Sequence, residues 1–232
     1  MDAVVLAAGE GRRLRPLTER WAKPVLPIGG RAVLGLLLQQ IATAGFGQVW
    51  LVTGHLAEQV ERLIGDGSSF RLEARFVRQP EVLGSADAVR RALAAGAQTP
   101  LLVSAADTVY RAGDVGRFAK AFASSGAAGA VAVRTDPPPS PGRRAVRRVN
   151  RRVELIRDPD PNNPWSAAPL WGIGPAVADR LCLDRPPYEL ANAFQAAIDA
   201  LATVIAVEIG KTRDLTDPLD LVVENFPYLR SI

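Results

Sequence analysis

The sequence predicts an α/β fold in which a mixed, mostly parallel sheet carries helices on both faces. Three observations lead to this prediction. Short β-branched, apolar runs, typical of strands buried on both faces, alternate with stretches whose apolar residues recur at helical spacing. Such alternation indicates βαβ units with parallel strands. The hydrophobic share of 48% over 232 residues is enough for one sizeable core.

The first half of the chain supplies these elements in regular order. Residues 2–7 (DAVVLA) form the first predicted strand, and a helical stretch over residues 32–44 ends at Gly45. Ser85 is the expected N-cap of a helix over residues 85–95, and Asp87 in its first turn favours the helix dipole. The further predicted elements are strands at 48–53, 72–77, 101–104 and 127–134, and helices at 58–64 and 116–124.

The second half begins with a proline-rich surface link, residues 136–142 (DPPPSPG). A hairpin over residues 145–156, turning near Asn150-Arg151, follows it. We expect these residues to extend the same sheet, so that residues 1–232 form a single domain. The remaining predicted elements are strands at 168–173 and 204–209, and helices at 176–183, 189–201 and 218–225.

Composition excludes several classes of protein. No apolar stretch approaches the roughly 18–20 residues of a membrane span, and the first apolar run is too short for a signal peptide. We therefore expect a cytoplasmic protein without a membrane partner. The single cysteine, Cys182, excludes an internal disulfide and is expected to be a small buried residue. With His55 as the only histidine, expected near a helix start, histidine-dependent triads and zinc chemistry are excluded as well.

The charge of +4 suits either a nucleic acid or a small polyanion such as a nucleoside triphosphate. Seven arginines lie between Arg143 and Arg157, but no aromatic residues alternate with them. Nucleic-acid binders usually place aromatics among their basic residues for stacking. We therefore interpret this cluster as a solvated hairpin face or as a funnel for an acceptor phosphate, with no nucleic-acid partner.

The loop after the first strand is both glycine-rich and basic, LAAGEGRRLRPLTERWAKPVLP. Ligands of parallel sheets bind beyond the carboxyl ends of the strands, where free backbone N–H groups can hold phosphate. The P-loop pattern GxxxxGK[ST] is absent, and Leu14 occupies the third glycine position of the dinucleotide fingerprint. A plain turn, or a solvated basic loop, is the alternative to a phosphate site.

The spacing Gly9-x-Gly11-x-Arg13-Leu14-x-Pro16-x-Thr18, followed by Lys23-Pro24 and Pro27, resembles the N-terminal signature of the sugar-1-phosphate nucleotidyltransferases. The resemblance implies a Rossmann-like fold of the nucleotide-diphospho-sugar transferase type. It also implies a nucleotide-binding part over residues 1–135 and an acceptor-binding part over 136–232. By the same resemblance, the residues that hold the triphosphate are Ala8, Gly9, Gly11, Arg13 and Lys23, with Arg13 and Lys23 as the catalytic cations. Arg12 stands where the family usually has threonine and is expected to add a further phosphate contact.

Further residues match the family around the base and the metal. Gln79-Pro80 and Leu83-Gly84-Ser85 resemble its base-binding stretch, which implies that Gln79, Gly84 and Ser85 contact the base; a plain helix start is the alternative. Asp107 and Asp214 match the acids that hold Mg²⁺, and turn or cap duty is their alternative role. Asp220 matches a later acid and is expected to start a helix.

The acceptor side matches less well. Arg157-Asp158 stands where the family has Glu-Lys, so Arg157 is expected to take the acceptor phosphate and Asp158 the hydroxyls. Pro169 replaces a glycine of the family's acceptor-binding segment, and Thr212 replaces a tryptophan. These departures leave the identity of the acceptor open, and the sequence does not decide among uracil, thymine, cytosine and guanine.

The predicted activity couples a nucleoside triphosphate to a sugar 1-phosphate, with Mg²⁺ as cofactor, in a short form without the C-terminal β-helix of longer relatives. Ala7-Ala8-Gly9 in place of Ala-Gly-Gly favours the uridylyl and cytidylyl branches by resemblance. Two alternatives stay open: a non-sugar acceptor such as phosphocholine or inositol phosphate, and a nucleotide-binding subunit without catalysis. Whether the chain forms a homo-oligomer also stays open.

Overall fold

Strands and helices alternate along residues 1–136, 138–139, 145–181 and 185–226, the parts of the chain that this computed structural model describes. The strands are β1 Asp2–Ala7, β2 Pro27–Ile28, β3 Arg31–Ala32, β4 Gln48–Thr53, β5 Glu73–Arg78, β6 Leu101–Ala105, β7 Thr108–Val109, β8 Gly129–Arg134, β9 Val146–Val149, β10 Arg152–Ile156, β11 Ser166–Ile173, β12 Val204–Glu208 and β13 Arg213–Asp214. The α-helices are α1 Val33–Thr43, α2 Ala57–Ile64, α3 Ser85–Ala94, α4 Asp114–Ala123, α5 Pro175–Ala178, α6 Leu190–Asp199 and α7 Pro218–Asn225.

Nine of these strands form one sheet in the order β5-β4-β1-β6-β11-β8-β12-β10-β9. The pairs of β1 with β4 and β6, of β4 with β5, and of β8 with β12 are parallel. β11 lies antiparallel between β6 and β8, and β10 is antiparallel to both β12 and β9. The predicted fold class, a mixed and mostly parallel sheet, is confirmed. Strands from the second half of the chain continue the sheet that the first half begins.

Apolar layers cover both faces of the sheet. Along β1, Val5 faces the layer formed with α1, α2 and α4, whereas Val4 faces the layer formed with α3 and α6. This alternation with period two follows from the pleat of a strand. Each fully buried valine, leucine or phenylalanine contributes about 1.5–3 kcal/mol relative to an exposed position. A third, smaller cluster lies beneath the opening loop and consists of Leu14, Leu26, Ile28, Val33, Val109 and Leu215.

Most predicted elements are found within a few residues of their predicted bounds. The predicted helix at 176–183 is an exception, because α5 ends at Ala178. Beyond it, Arg180 and Leu181 donate to carbonyls three residues earlier, which tightens the chain into a turn. Residues 182–184, and with them the prediction for Cys182, lie outside the described residues.

Ser85 is not the N-cap of α3, as the sequence predicts, but its first helical residue. The N-cap is Gly84, whose φ of 114° suits glycine. The Ser85 hydroxyl instead accepts the Leu190 amide, 2.9 Å away, at the start of α6. It therefore caps a helix that lies far away in sequence. Among the described residues, no helix is long and apolar enough to span a membrane.

Candidate functional site

A cavity of about 610 Å³ lies at the carboxyl edge of the sheet, where β1, β5 and β6 end. The predicted site residues that line it are Ala8, Gly9, Gly11, Arg12, Arg13, Lys23, Gln79, Gly84, Ser85 and Asp107. Four predicted residues do not line it: Asp214, Arg157, Asp158 and Pro169. Residues that the sequence did not single out for the site, among them Trp171, Glu189 and Thr216, complete its wall.

The opening loop is a series of short 3₁₀ turns rather than a helix. Gly11 has a φ of 63°, and a Cβ there would lie 2.9 Å from the Thr18 methyl group. The Thr18 hydroxyl in turn donates to the Gly11 carbonyl at 3.0 Å. Leu14, the residue that excludes a dinucleotide fingerprint, is fully buried and anchors the loop in the small cluster beneath it. A Cβ on Gly9 would meet nothing within 4 Å, so its backbone faces open space in the cavity.

The arginines of this loop differ in their partners. Arg12 and Arg15 both form ion pairs with Glu10, and the hydrogen bond from Arg12 lowers the pKa of that carboxyl. Arg13 is exposed at the cavity and forms no ion pair with any residue in the described ranges. The cation that the resemblance assigns to the pyrophosphate is therefore available for an anion.

Lys23 reaches across the cavity to Asp107. Its ammonium group forms an ion pair with the Asp107 carboxylate, and the two side chains are 14% and 26% exposed. This contact joins the loop after β1 to the end of β6. The Lys23 ammonium group, on its flexible side chain, and the partly exposed Asp107 carboxylate therefore meet in the cavity that Gly9 and Gly11 also line.

Two side chains before and in α2 hold the segment that carries Lys23. Gln59 accepts from the Ala22 amide at 2.8 Å and donates to the Arg20 carbonyl at 2.7 Å. His55 lies two residues before α2, near a helix start as expected, and its Nε2 is 2.6 Å from the Thr18 carbonyl oxygen. The sequence did not reveal this clamp, because it depends on α2 packing against the loop.

Asp214 lies beside Asp107 because β13 pairs with β7. Asp214 stands opposite Thr108, and the Leu215 amide donates to the Asp107 carbonyl at 3.1 Å. The Asp214 carboxylate accepts from the hydroxyls of Thr108 and Thr212, each at 2.8 Å. Arg134 completes the cluster with a guanidinium nitrogen 3.1 Å from Asp214 Oδ2. Sequence reasoning missed Arg134, and its only signal was a charged residue ending a buried strand.

The donors around Asp107 suit a hard divalent cation. Mg²⁺ prefers oxygen ligands and is commonly held by one or two carboxylates together with substrate phosphates and water. No group of three or more His, Cys, Asp or Glu side chains converges anywhere in the described ranges. Asp107 directly precedes β7, and Asp214 lies in β13, which pairs with β7, so the fold brings two carboxylates, a ligand type that Mg²⁺ prefers, to neighbouring segments.

Tyr110 links the segment after Asp107 to β11. Its hydroxyl donates to the Pro169 carbonyl at 2.7 Å and lies 2.9 Å from the Ser104 hydroxyl. Burial raises the pKa of the Tyr110 phenol, so the group stays neutral and able to donate. The Gln40 carboxamide bonds both backbone groups of Tyr110, at 2.6 Å and 3.1 Å. Pro169 is thus placed behind the cavity wall as a hydrogen-bond acceptor.

The predicted base-binding residues form one wall of the cavity. Gln79 is 2% exposed, and its amide donates to the Gly84 carbonyl at 3.1 Å and to Asp87 at 2.9 Å. Burial raises the pKa of Asp87, but hydrogen bonds from Arg91, Gln79 and Arg90 outweigh burial and lower it. The wall is therefore a fixed, charged network.

Gly84 and Ser85 pack against the segment before α6. A Cβ on Gly84 would lie 2.3 Å from the Tyr188 carbonyl oxygen, so only glycine fits this approach. The Ser85 hydroxyl donates to the Glu189 carboxylate at 2.5 Å. Both residues line the cavity while serving contacts inside the protein.

Arg157 and Asp158 belong to a turn after β10. Their amides both donate to the Ala145 carbonyl. The Asp158 carboxylate accepts from Arg147 at 2.7 Å and from Asn163 at 2.8 Å, and the bond from Arg147 is the main cause of its lowered pKa.

The arginine cluster of the hairpin is partly paired. Arg148 stacks over the Trp165 ring at 3.9 Å and pairs with Glu208 at 2.5 Å. Arg147 pairs with Asp158 at 2.7 Å. Arg143 and Arg144 lie outside the described residues.

Comparison with known proteins places these features in a family. A profile of the nucleotidyl transferase family matches residues 2–142, more than half of the chain. The glucose-1-phosphate thymidylyltransferase of Streptomyces antibioticus is 43% identical over 89 residues, which is 38% of this chain and 25% of that protein. The low-salt glycan biosynthesis nucleotidyltransferase of Haloferax volcanii is 26% identical over 97% of this chain and 65% of its own length. This chain therefore spans less than two thirds of either relative.

A solved structure shares the whole architecture. The UDP-glucose pyrophosphorylase structure from Acinetobacter baumanii superposes with a TM-score of 0.80 at 19% identity. The alignment covers 98% of this chain and 92% of that one. At this identity the likeness concerns the fold alone.

Proposed function

Because the chain belongs to the nucleotidyl transferase family, we propose that it couples a nucleoside triphosphate to a sugar 1-phosphate. A phosphate oxygen of the sugar 1-phosphate attacks the α-phosphorus, the bond between the α- and β-phosphates breaks, and pyrophosphate leaves. The observation that carries this proposal is the meeting of Gly9, Gly11, Arg13, Lys23 and Asp107 in one cavity. Reactions of this kind need positioning and neutralisation of anionic charge more than covalent chemistry.

Each residue has a distinct task in this proposal. The amides of Gly9 and Gly11 donate to phosphate oxygens, and Arg13 takes the charge of the departing pyrophosphate. Lys23 exchanges its contact with Asp107 for a phosphate oxygen as the triphosphate enters. Arg12, which is exposed, pairs with Glu10 and lines the cavity, adds a further phosphate contact.

Mg²⁺ is the proposed cofactor, with Asp107 and Asp214 as the residues that would hold it. When bound, the ion neutralises charge on the triphosphate. Thr108 and Thr212 fix the orientation of the Asp214 carboxylate, so this chain presents that ligand in one conformation.

We assign recognition of the base and recognition of the acceptor to two different sets of residues. Gln79, Gly84 and Ser85 line the wall where we place the base. Arg157, Asp158 and Pro169 remain the predicted acceptor residues. Because none of the three lines the cavity, Glu189 and Trp171 join them as candidates for contact with acceptor hydroxyls.

Pyrophosphate release measured across triphosphates and acceptors tests the proposal. We expect turnover with at least one sugar 1-phosphate and none without an acceptor. Turnover only with phosphocholine or inositol phosphate would replace the sugar by a non-sugar acceptor. Binding of a triphosphate, seen as a raised melting temperature with Mg²⁺, but never turnover, would establish a non-catalytic subunit. A cytoplasmic location and a homo-oligomer stay predictions.

A further inference from the structure

Arg134 is a buried cation placed behind the predicted metal site. It ends β8, and its side chain is 3% exposed. One guanidinium nitrogen lies 3.1 Å from Asp214 Oδ2, and another contacts the Thr212 hydroxyl. Buried charges are retained where a partner of opposite charge neutralises them. The partner of Arg134 is a carboxylate that we assign to the metal.

The second carboxylate that we assign to the metal, Asp107, is also paired with a cation, Lys23. The four groups together carry a formal charge of zero, whereas two unpaired carboxylates would carry −2. The attraction of a site for a dication scales with the charge of that site and is strengthened by burial. Without another anion, this site therefore attracts a divalent cation weakly.

We propose that Arg134 is a positioning residue that neutralises Asp214 and so makes divalent-cation binding depend on the bound triphosphate. The inference rests on the proposed function, which supplies that triphosphate. The two cations respond differently to it. Lys23 has a long side chain with several rotatable bonds and lines the cavity, so a phosphate can draw its ammonium group away from Asp107. Arg134 is held by both Thr212 and Asp214 and stays in place.

Binding of Mn²⁺ to the nucleotide-free protein, followed by the electron paramagnetic resonance of the free ion, tests this role. We expect wild type to bind Mn²⁺ weakly. In Arg134→Gln the freed carboxylate should tighten binding at least about tenfold. Arg134→Lys keeps the positive charge and should resemble wild type. If Arg134 served only the structure, Arg134→Gln would leave Mn²⁺ affinity unchanged or lower it.

Arg117→Gln is the matched control. Arg117 pairs with the buried Asp114 on α4, so its loss also leaves a buried carboxylate with one partner fewer, but away from the cavity. Its Mn²⁺ affinity should equal that of wild type. A tenfold gain in this control would mean that any freed carboxylate collects Mn²⁺, and the inference would fail.

A second measurement needs no variant. The affinity of wild type for UTP, measured by equilibrium dialysis with and without Mn²⁺, should rise at least about tenfold with the metal, because coupling between two ligands is reciprocal. Equal affinities, or tight Mn²⁺ binding by nucleotide-free wild type, would overturn the inference. The comparison of wild type with Arg134→Gln involves no turnover, so failure of the proposed reaction would be seen separately, in the pyrophosphate assay.

Discussion

The nucleotide side and the acceptor side of this molecule differ in whether residues that are close together in sequence also line the cavity together. On the nucleotide side, residues close together in one loop line the cavity together, as Gly9, Gly11, Arg13 and Lys23 do. On the acceptor side, Arg157 and Asp158 are adjacent in sequence but lie in a turn that does not line it. A loop that leaves a buried strand must emerge at the sheet edge, whereas a turn after a hairpin lies wherever the hairpin packs. The first placement is set by topology and the second by long-range packing.

Removing the Lys23 charge should have the largest effect and tests the nucleotide side directly. Lys23→Met should lower kcat/KM for pyrophosphate release by about 100-fold or more, because a preorganised cation at developing phosphate charge is lost. Steady-state kinetics across triphosphate concentrations measure this. Lys120→Met, which removes an exposed lysine on α4, should leave kcat/KM unchanged. Near-normal turnover in Lys23→Met would make the contact with Asp107 structural only.

Replacing Gly84 tests whether the base wall is as fixed as its contacts indicate. In Gly84→Ala the new Cβ meets the Tyr188 carbonyl at 2.3 Å, and φ is 114°. We expect a loss of more than about 2 kcal/mol in the free energy of unfolding, from steric conflict added to backbone strain. Urea denaturation measures it. Gly113→Ala is the control, because φ is 83° there but open space surrounds the Cβ, so only the backbone strain of about 1–2 kcal/mol remains.

The fold could be predicted almost entirely from the sequence, because strands such as DAVVLA and helix ends such as Gly45 are local signals. The opening loop could be predicted for the same reason. The roles of Ser85 and Arg134 could not. Ser85 caps a helix 105 positions away, and Arg134 meets Thr212 across 78 positions. Such contacts depend on how α6 and β13 pack, and nothing in the residues around Ser85 or Arg134 encodes that.

Loosening the loop clamp should have an intermediate effect. Gln59→Ala removes two hydrogen bonds to the segment before Lys23, each worth about 0.5–1.5 kcal/mol. We expect the KM for the triphosphate to rise several-fold with little change in kcat, because the loop must then be ordered on binding. Gln39→Ala, at an exposed position on α1, is the control. A fall in kcat at unchanged KM would place the clamp in the chemical step instead.

The smallest expected effect concerns Asp158 and tests the acceptor side. Its pKa is lowered in the folded protein, chiefly by the hydrogen bond from Arg147, so the folded state binds a proton less readily than the unfolded chain. The lowered pKa of Asp158 therefore contributes to the stability of the folded protein. This contribution is present above the unfolded pKa of about 3.9 and is lost as pH falls through the lower pKa of the folded state. Asp158→Asn lacks it. The difference in free energy of unfolding between wild type and Asp158→Asn, by urea denaturation, should therefore be largest above about pH 5 and shrink below pH 3.9. Glu154→Gln, which removes an exposed carboxylate on the same hairpin, controls for the loss of one surface charge.

The acceptor KM provides a second test of Asp158. This KM should be unaltered in Asp158→Asn if the side chain only closes the turn. A tenfold rise in that KM would instead place Asp158 in the acceptor site and remove the contrast between the two sides.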